Sequence, residues 1–246
     1  MMTHIGCVDA IFRYPVKSMA GERVDVASLG WHGIAGDRRL ALLRTEDRSS
    51  FPWLSASKLP ELLLFTPMRH EGDAEEALPT HVRTPDGVEM ATFGPGLAAE
   101  IERRHHAPVR MMHLRSGIFD EASVSVITTD TVREIGRLAG SGSDVRRFRP
   151  NIVVRLLRPA PFQEDAWLGR ILSFGEAGAG PRVSITMSDA RCSMVNVDPD
   201  SARADPAVLR SIVRINENNA GVYGTVVRAG RLAVGQTICL QDRAGA

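Results

Sequence analysis

Arg149-Pro150-Asn151-Ile152-Val153-Val154-Arg155-Leu156-Leu157 is the stretch that decides the fold class. From Ile152 onward only Arg155 is polar, and β-branched side chains dominate its first half, which favours an extended chain. A strand with one wet face alternates apolar and polar residues, and this run does not. It belongs in a wall covered on both sides, as in a barrel or sandwich.

Working outward, further short runs of the same kind are bounded by Gly, Pro and Asp. Strands are expected at Val8–Tyr14, Arg39–Arg44, Leu62–Phe65, Val109–Leu114, Ser123–Thr128 and Asn151–Leu157. Four more are expected at Ile171–Phe174, Val183–Thr186, Tyr223–Arg228 and Thr237–Leu240. Helices are few. Thr131-Val132-Arg133-Glu134 matches the capping-box pattern, and Val132, Ile135, Leu138 and Ala139 share one face before Gly140. Asp205 and Pro206 read as the N-cap and first position of a second helix, with a face of Val208, Leu209, Ile212 and Val213. A shorter helix follows Gly94-Pro95-Gly96, from Leu97 to about Arg104. Glu71–Pro79 reads as a soft acidic connection. The class is mainly β with a few helices, a β-rich α+β chain.

Thirty basic and 29 acidic side chains leave a net charge of +1, which argues against a nucleic-acid coat but allows a local cationic pocket. No apolar run approaches the ~20 residues of a membrane span, and no signal segment opens the chain. Cys7, Cys192 and Cys239 are too scattered for a disulfide framework. The expectation is a cytoplasmic protein that binds neither nucleic acid nor membrane. Of the basic residues only Lys17 and Lys58 are lysines; drift toward arginine codons explains that bias broadly, and Lys17 least well.

Familiar phosphate and metal motifs are absent. There is no Gly-x-x-x-x-Gly-Lys-Ser/Thr and no Cys-x-x-Cys, and the Gly30–Gly36 cluster does not combine a preceding strand with a following helix as dinucleotide binding needs. Arg103-Arg104-His105-His106 reads as a solvated helix end more readily than as a metal site. Four polar segments remain: Tyr14-Pro15-Val16-Lys17-Ser18, Gly36-Asp37-Arg38, Arg146-Arg147-Phe148-Arg149-Pro150-Asn151, and Asp189-Ala190-Arg191-Cys192 with Val197-Asp198-Pro199-Asp200. Singly, each reads as a turn, a strand-end arginine or an inert cysteine. Jointly they supply charge, fork-shaped donors and a hydroxyl, which suit a phosphate and a polar heterocycle. They also supply a thiol beside an arginine, which suits a soft metal.

These segments, taken in order with Phe162-x-Glu164-Asp165-x-Trp167, resemble the MOSC family, the β-barrel proteins similar to the C-terminal domain of molybdenum cofactor sulfurase. The spacing is especially similar to the mitochondrial amidoxime-reducing component and its bacterial relatives. The resemblance implies a MOSC N-terminal β-barrel-like unit over 1–113 and a MOSC domain over 114–246. It implies molybdenum held by molybdopterin, with Cys192 as metal ligand and catalytic residue and Asp165 near the pocket as a second catalytic candidate. Lys17, Ser18, Arg38, Arg149, Asn151 and Arg191 would hold the pterin and its phosphate. At the level of the wider superfamily it also admits pyridoxal phosphate.

The implied reaction is reduction of amidoximes, hydroxylamines or N-hydroxylated bases. Electrons would come from a separate donor protein of flavin, ferredoxin or cytochrome b5 type. A carrier of molybdenum cofactor or of sulfur on Cys192 is the alternative, and a cofactor-free interaction module a third. The chain departs from the family pattern at Ser201-Ala202, where Thr-Gly is common, at Ser57, where Arg is common, and at Ala122-Ser123, which replaces a Ser-Pro pair.

Overall fold

In the computed structural model, described over residues 2–69 and 77–241, seven strands close into a barrel. Around its circumference run Met2–Arg13, Ile152–Leu156, Val124–Thr128, Asn219–Arg228, Arg182–Ala190, Ile171–Phe174 and Thr237–Gln241, which returns to Met2–Arg13. All neighbours are antiparallel except Val124–Thr128 and Ile152–Leu156, which run parallel. Helix Thr129–Ala139 lies in the connection between those two, as a parallel pair requires a crossover. Closure leaves no free sheet edge on the barrel.

Closure also explains the run that opened the sequence. Ile152, Val154 and Leu156 point into the barrel core with Val8, Ile11 and Trp167, while Arg155 and Leu157 are exposed. Val153 points outward but is covered by Ala10 and Phe12 of the neighbouring strand and by Tyr14 just beyond its end. One strand therefore carries apolar residues on both faces because its outer face is sheltered at one end. The neighbour does the same by slipping register between Val8 and Ala10, so that inward and outward sides exchange along it.

A second core lies outside the barrel and contains Val16, Met19, Leu40, Leu42, Leu62, Phe65, Leu97 and Ile101. It is built on the two-stranded sheet Leu40–Arg44 with Val109–His113, the three-stranded sheet Thr66–Met68, His81–Arg83 and Glu89–Ala91, and helix Pro95–His105. No helix among the described residues is long and apolar enough to cross a membrane.

Local expectations need three corrections. Leu62–Phe65, expected as a strand, is largely a 3-10 turn, Pro60–Leu64, because Pro60 sits at its start and Leu62 and Leu63 fold back into two cores. The helix expected to cap at Thr131 caps at Thr128, whose hydroxyl accepts from Thr131 N (3.2 Å). Thr128 is the last residue of its strand, so the chain passes from strand to helix with no loop, and Glu134 pairs with Arg137 on the surface. The helix expected from Pro206 is Ala207–Asn216, with Pro206 at its N-cap position; Asp205, one residue earlier, accepts from Ala207 N (3.0 Å), and Val213 of the expected face is exposed. Residues 71–76 of the expected soft connection lie outside the described residues.

Candidate functional site

The first strand ends at Arg13, and Tyr14–Ser18 is then zipped onto the segment that enters Leu40–Arg44. Arg38 N donates to Tyr14 O (2.7 Å), Lys17 N to Leu40 O (2.8 Å) and Leu40 N to Pro15 O (3.1 Å). Asp37, wholly buried, accepts from Tyr14 N (2.7 Å) and from Arg38 Nη1 (2.5 Å). Ser18, Arg38 and Arg149 all adopt left-handed backbone, with φ of 66°, 49° and 50°. Each such residue costs ~1–2 kcal/mol outside glycine, and three of them around one cavity mark where backbone strain holds side chains in place.

That cavity has a volume of about 340 Å³ and is lined by Lys17, Ser18, Arg38, Arg149, Arg191 and Cys192 among others. Six of the residues expected at a site are thus brought together from four separate chain segments. Cys192 is exposed at the start of the turn Ser193–Asn196, directly after the end of strand Arg182–Ala190. Asn151 stands behind the cavity wall, 1% exposed. Its Oδ1 accepts from Ser125 N (3.1 Å) and Arg38 Nη1 (3.4 Å), and its Nδ2 donates to Phe12 O (3.3 Å). It orients Arg38 and ties three strands. Asp165 is not among the lining residues: it lies in the turn Gln163–Trp167, and its Oδ2 accepts from Asn216 Nδ2 (2.8 Å). The same Asn216 Nδ2 donates to Asn219 O (3.0 Å), so Asp165 braces the loop between the last helix and strand Asn219–Arg228.

Five cations line the cavity, and four carry a carboxylate partner. Lys17 pairs with Asp120 (2.6 Å), Arg38 with Asp37 (2.5 Å), Arg147 with Asp198 (2.8 Å) and Arg191 with Asp189 (2.7 Å). Among the described residues Arg149 is the lining cation without one. Its Nη1 donates to Met19 O (2.8 Å), and its Nη2 is buried with no hydrogen-bond partner. Burial pulls Arg149 down to about 10, so it remains a cation at neutral pH. Arg191 is committed differently. Its Nε donates to Ala220 O (2.7 Å) and its Nη1 to Phe148 O (2.8 Å), which makes it a buried cross-link under Cys192. Gly221 makes room for that cross-link. Its φ is +86°, and a Cβ there would lie 2.7 Å from Val126 O and 3.1 Å from Arg191 Nη2.

Several lining residues were not singled out from sequence. Asp120 reaches Lys17 from a segment 103 positions away, a pairing no local pattern encodes. Phe51 covers Lys17 Nζ at 5.3 Å from the ring centroid. Tyr223 lines the cavity with its phenol held above the ordinary range by burial and the nearby Asp189. Rarity was its one available signal: the chain has two tyrosines, and the other, Tyr14, supports the same cavity.

Asp189 sets a pH dependence. Burial pushes its carboxyl up to about 6, against the pull of Arg191 and of Ser125, whose Oγ donates to it (3.0 Å). Above that pH it is charged and offsets Arg191. Below it the proton neutralises Asp189 and the cavity gains one net positive charge. Sulfate, whose charge is constant from pH 5 to 8, is therefore expected to bind roughly five- to tenfold more tightly at pH 5 than at pH 8. Calorimetry checks this, with Asp189→Asn expected to bind tightly throughout; an unchanged slope in that variant would remove Asp189 as the cause.

Among the described residues no group of three His, Cys, Asp or Glu side chains could hold a metal ion together. The Arg103–His106 cluster is a helix end, where Arg103 and Arg104 pair with Glu100 (2.8 and 2.7 Å).

The YuaD protein from Bacillus subtilis superposes over 98% of this chain and 98% of its own, with a TM-score of 0.53 at 13% identity, a likeness of fold. YiiM from Geobacillus stearothermophilus aligns over 49% of this chain and 55% of its own, with a TM-score of 0.38 at 16% identity. No curated protein matches the chain by sequence. The family model of the MOSC domain matches residues 75–239, more than half of the sequence, and the chain belongs to the MOSC family.

Proposed function

We propose that this protein is a molybdenum-cofactor-dependent oxidoreductase. It reduces N-hydroxylated compounds (amidoximes, hydroxylamines or N-hydroxylated bases) with electrons from a separate donor protein. The observation that carries the reading is an exposed thiol, Cys192, in the wall of a cavity whose unbalanced charge is the buried guanidinium of Arg149.

The residues fit such a cofactor. A phosphate needs a cation not already offset by a carboxylate, and among the described residues Arg149 is the lining cation that meets this. Lys17 and Ser18 add an ammonium and a hydroxyl at the same wall. A soft metal needs a thiolate, and Cys192 is the lining cysteine. When bound, the molybdenum centre supplies the two-electron oxygen acceptor that N–O cleavage needs and that no side chain offers.

The chain's own groups bind and orient. Asp37 and Asn151 fix Arg38, Asp189 and the carbonyls of Ala220 and Phe148 fix Arg191, and Arg191 fixes the backbone that presents Cys192. Burial, with Arg38 and Arg149 nearby, pulls Lys17 below the ordinary lysine range, and Asp120 opposes that pull by holding its proton.

The exposure of Cys192 also suits a carrier, in which the thiol holds sulfur or the cofactor is passed on. A molybdenum-to-chain ratio, measured on protein made in cells that synthesise molybdopterin, tests the first reading, together with turnover of benzamidoxime by a reduced dye. The expected result is a ratio approaching one with turnover. No molybdenum sinks the cofactor reading, and transfer of cofactor to an apo-enzyme without turnover favours the carrier.

A further inference from the structure

Arg149 poses a physical problem. A guanidinium 7% exposed and without a carboxylate partner is costly to bury, yet a carboxylate beside it would cancel the charge the cavity offers to a ligand. The neighbour that resolves this is Tyr14. Its ring lies 4.1 Å from Arg149 Cζ and 4.9 Å from Arg38 Cζ, measured to the centroid, and it is itself 2% exposed.

An aromatic face attracts a cation through its quadrupole, most strongly where water is excluded. It takes no N–H donor and carries no formal charge. Arg149 therefore keeps its full charge and a free Nη2, which a salt bridge would have consumed. The phenol does not replace the carboxylate. Its oxygen is buried without a partner, and burial pushes the group up to about 12, so it stays neutral.

The ring is held from several sides. Tyr14 N donates to Asp37, Tyr14 O accepts from Arg38 N, Phe12 stacks on it at 6.4 Å between centroids, and Gly21 leaves the space it fills. A Cβ at Gly21 would stand 2.3 Å from Tyr14 Cε1.

We propose that Tyr14 is the positioning residue of the anion site: its ring holds Arg149 and Arg38 together, so that Arg149 stays charged, with no carboxylate to offset it, at the wall of a cavity that takes an anionic ligand such as a phosphate group. The proposal rests on the anion-binding part of the function proposed above and not on the identity of the metal. Like charges drawn to one ring also explain why Arg38 Nη2 donates to Arg149 O (3.1 Å) instead of turning away from it.

Inorganic phosphate is the probe, with affinity measured by calorimetry on the full chain. Tyr14→Phe is compared with two forms of the same variant whose ring carries two and then five fluorines. These keep the ring's shape and progressively remove its negative face. The expected result is near wild-type affinity for Tyr14→Phe and a stepwise fall of about tenfold across the fluorinated series, with a cooperative melting transition retained in every member. Tyr14→Leu, where it folds, is expected to fall at least as far.

A flat fluorine series overturns the proposal, as does a loss already complete in Tyr14→Phe, which would assign the effect to the hydroxyl. Failure of the wild-type chain to bind phosphate removes the anion site and this proposal with it. Phosphate binding without any molybdenum in the purified protein sinks the proposed function and leaves Tyr14 to be judged by the series alone.

Discussion

On the proposed function, Cys192→Ser is expected to give a folded protein whose molybdenum content falls by roughly tenfold or more and whose turnover of benzamidoxime is lost. The thiol is exposed, so its removal opens no core and leaves no buried group unpaired. A melting temperature within about a degree of wild type is expected, because surface substitutions away from buried features are usually nearly neutral. Serine keeps the size but not the softness of the ligand. Metal analysis and a dye-coupled assay on the two proteins decide the matter. Full molybdenum content in the variant would mean that the metal does not depend on this thiol.

Arg149→Met has the second largest expected effect, and its two parts have opposite signs. Sulfate and phosphate affinity should fall by at least about tenfold, since the lining cation without a carboxylate partner is gone. The protein should nonetheless become more stable. Replacing a whole buried ion pair by apolar side chains of similar volume is often neutral or stabilising, by ~1–4 kcal/mol in measured cases, and the desolvation cost behind that gain applies equally to a buried charge with no carboxylate partner. Here the gain is reduced because Met19 O loses its donor and the Tyr14 ring its cation. A net gain of about 1 kcal/mol raises the melting temperature by ~2–4 °C in a chain of this size. Calorimetric melting with and without sulfate measures both parts. A variant that melts lower and binds sulfate as well as wild type would show that Arg149 is a structural group. Loss of function coupled to gain of stability is the expected signature of a side chain retained for its ligand.

Much of the fold was legible because strand runs are local. Ile171–Phe174 appears over the expected residues, and the first strand, expected from Val8, continues back to Met2. Errors arose where local patterns had two uses. The capping-box pattern was read at Thr131, and the cap is shifted to Thr128 by Glu164, wholly buried, which accepts from Thr128 N, from Thr128 Oγ1 and from Thr131 Oγ1. That carboxylate, pushed up by burial, comes from a turn more than thirty residues downstream, so the cap is set by a tertiary contact. The Glu164-Asp165 pair was likewise visible as a motif. Its geometry then separates a helix clasp from a loop brace, and neither residue lines the cavity.

By itself the sequence determined a β-rich class, the strand runs that form a wall, and the short polar segments gathered at one cavity. Each is a property of residues adjacent in the chain. Tertiary structure alone decided how the charges are shared. Lys17 meets Asp120, Arg147 meets Asp198 and Arg149 meets Tyr14, at separations no local pattern reports. The reason is that ion pairing and stacking depend on distance through space, which barrel closure sets. Composition gave nearly equal numbers of acids and bases. Among the described residues, folding leaves one of the cavity's bases, Arg149, buried without a carboxylate, and the chemistry of the cavity starts from that imbalance.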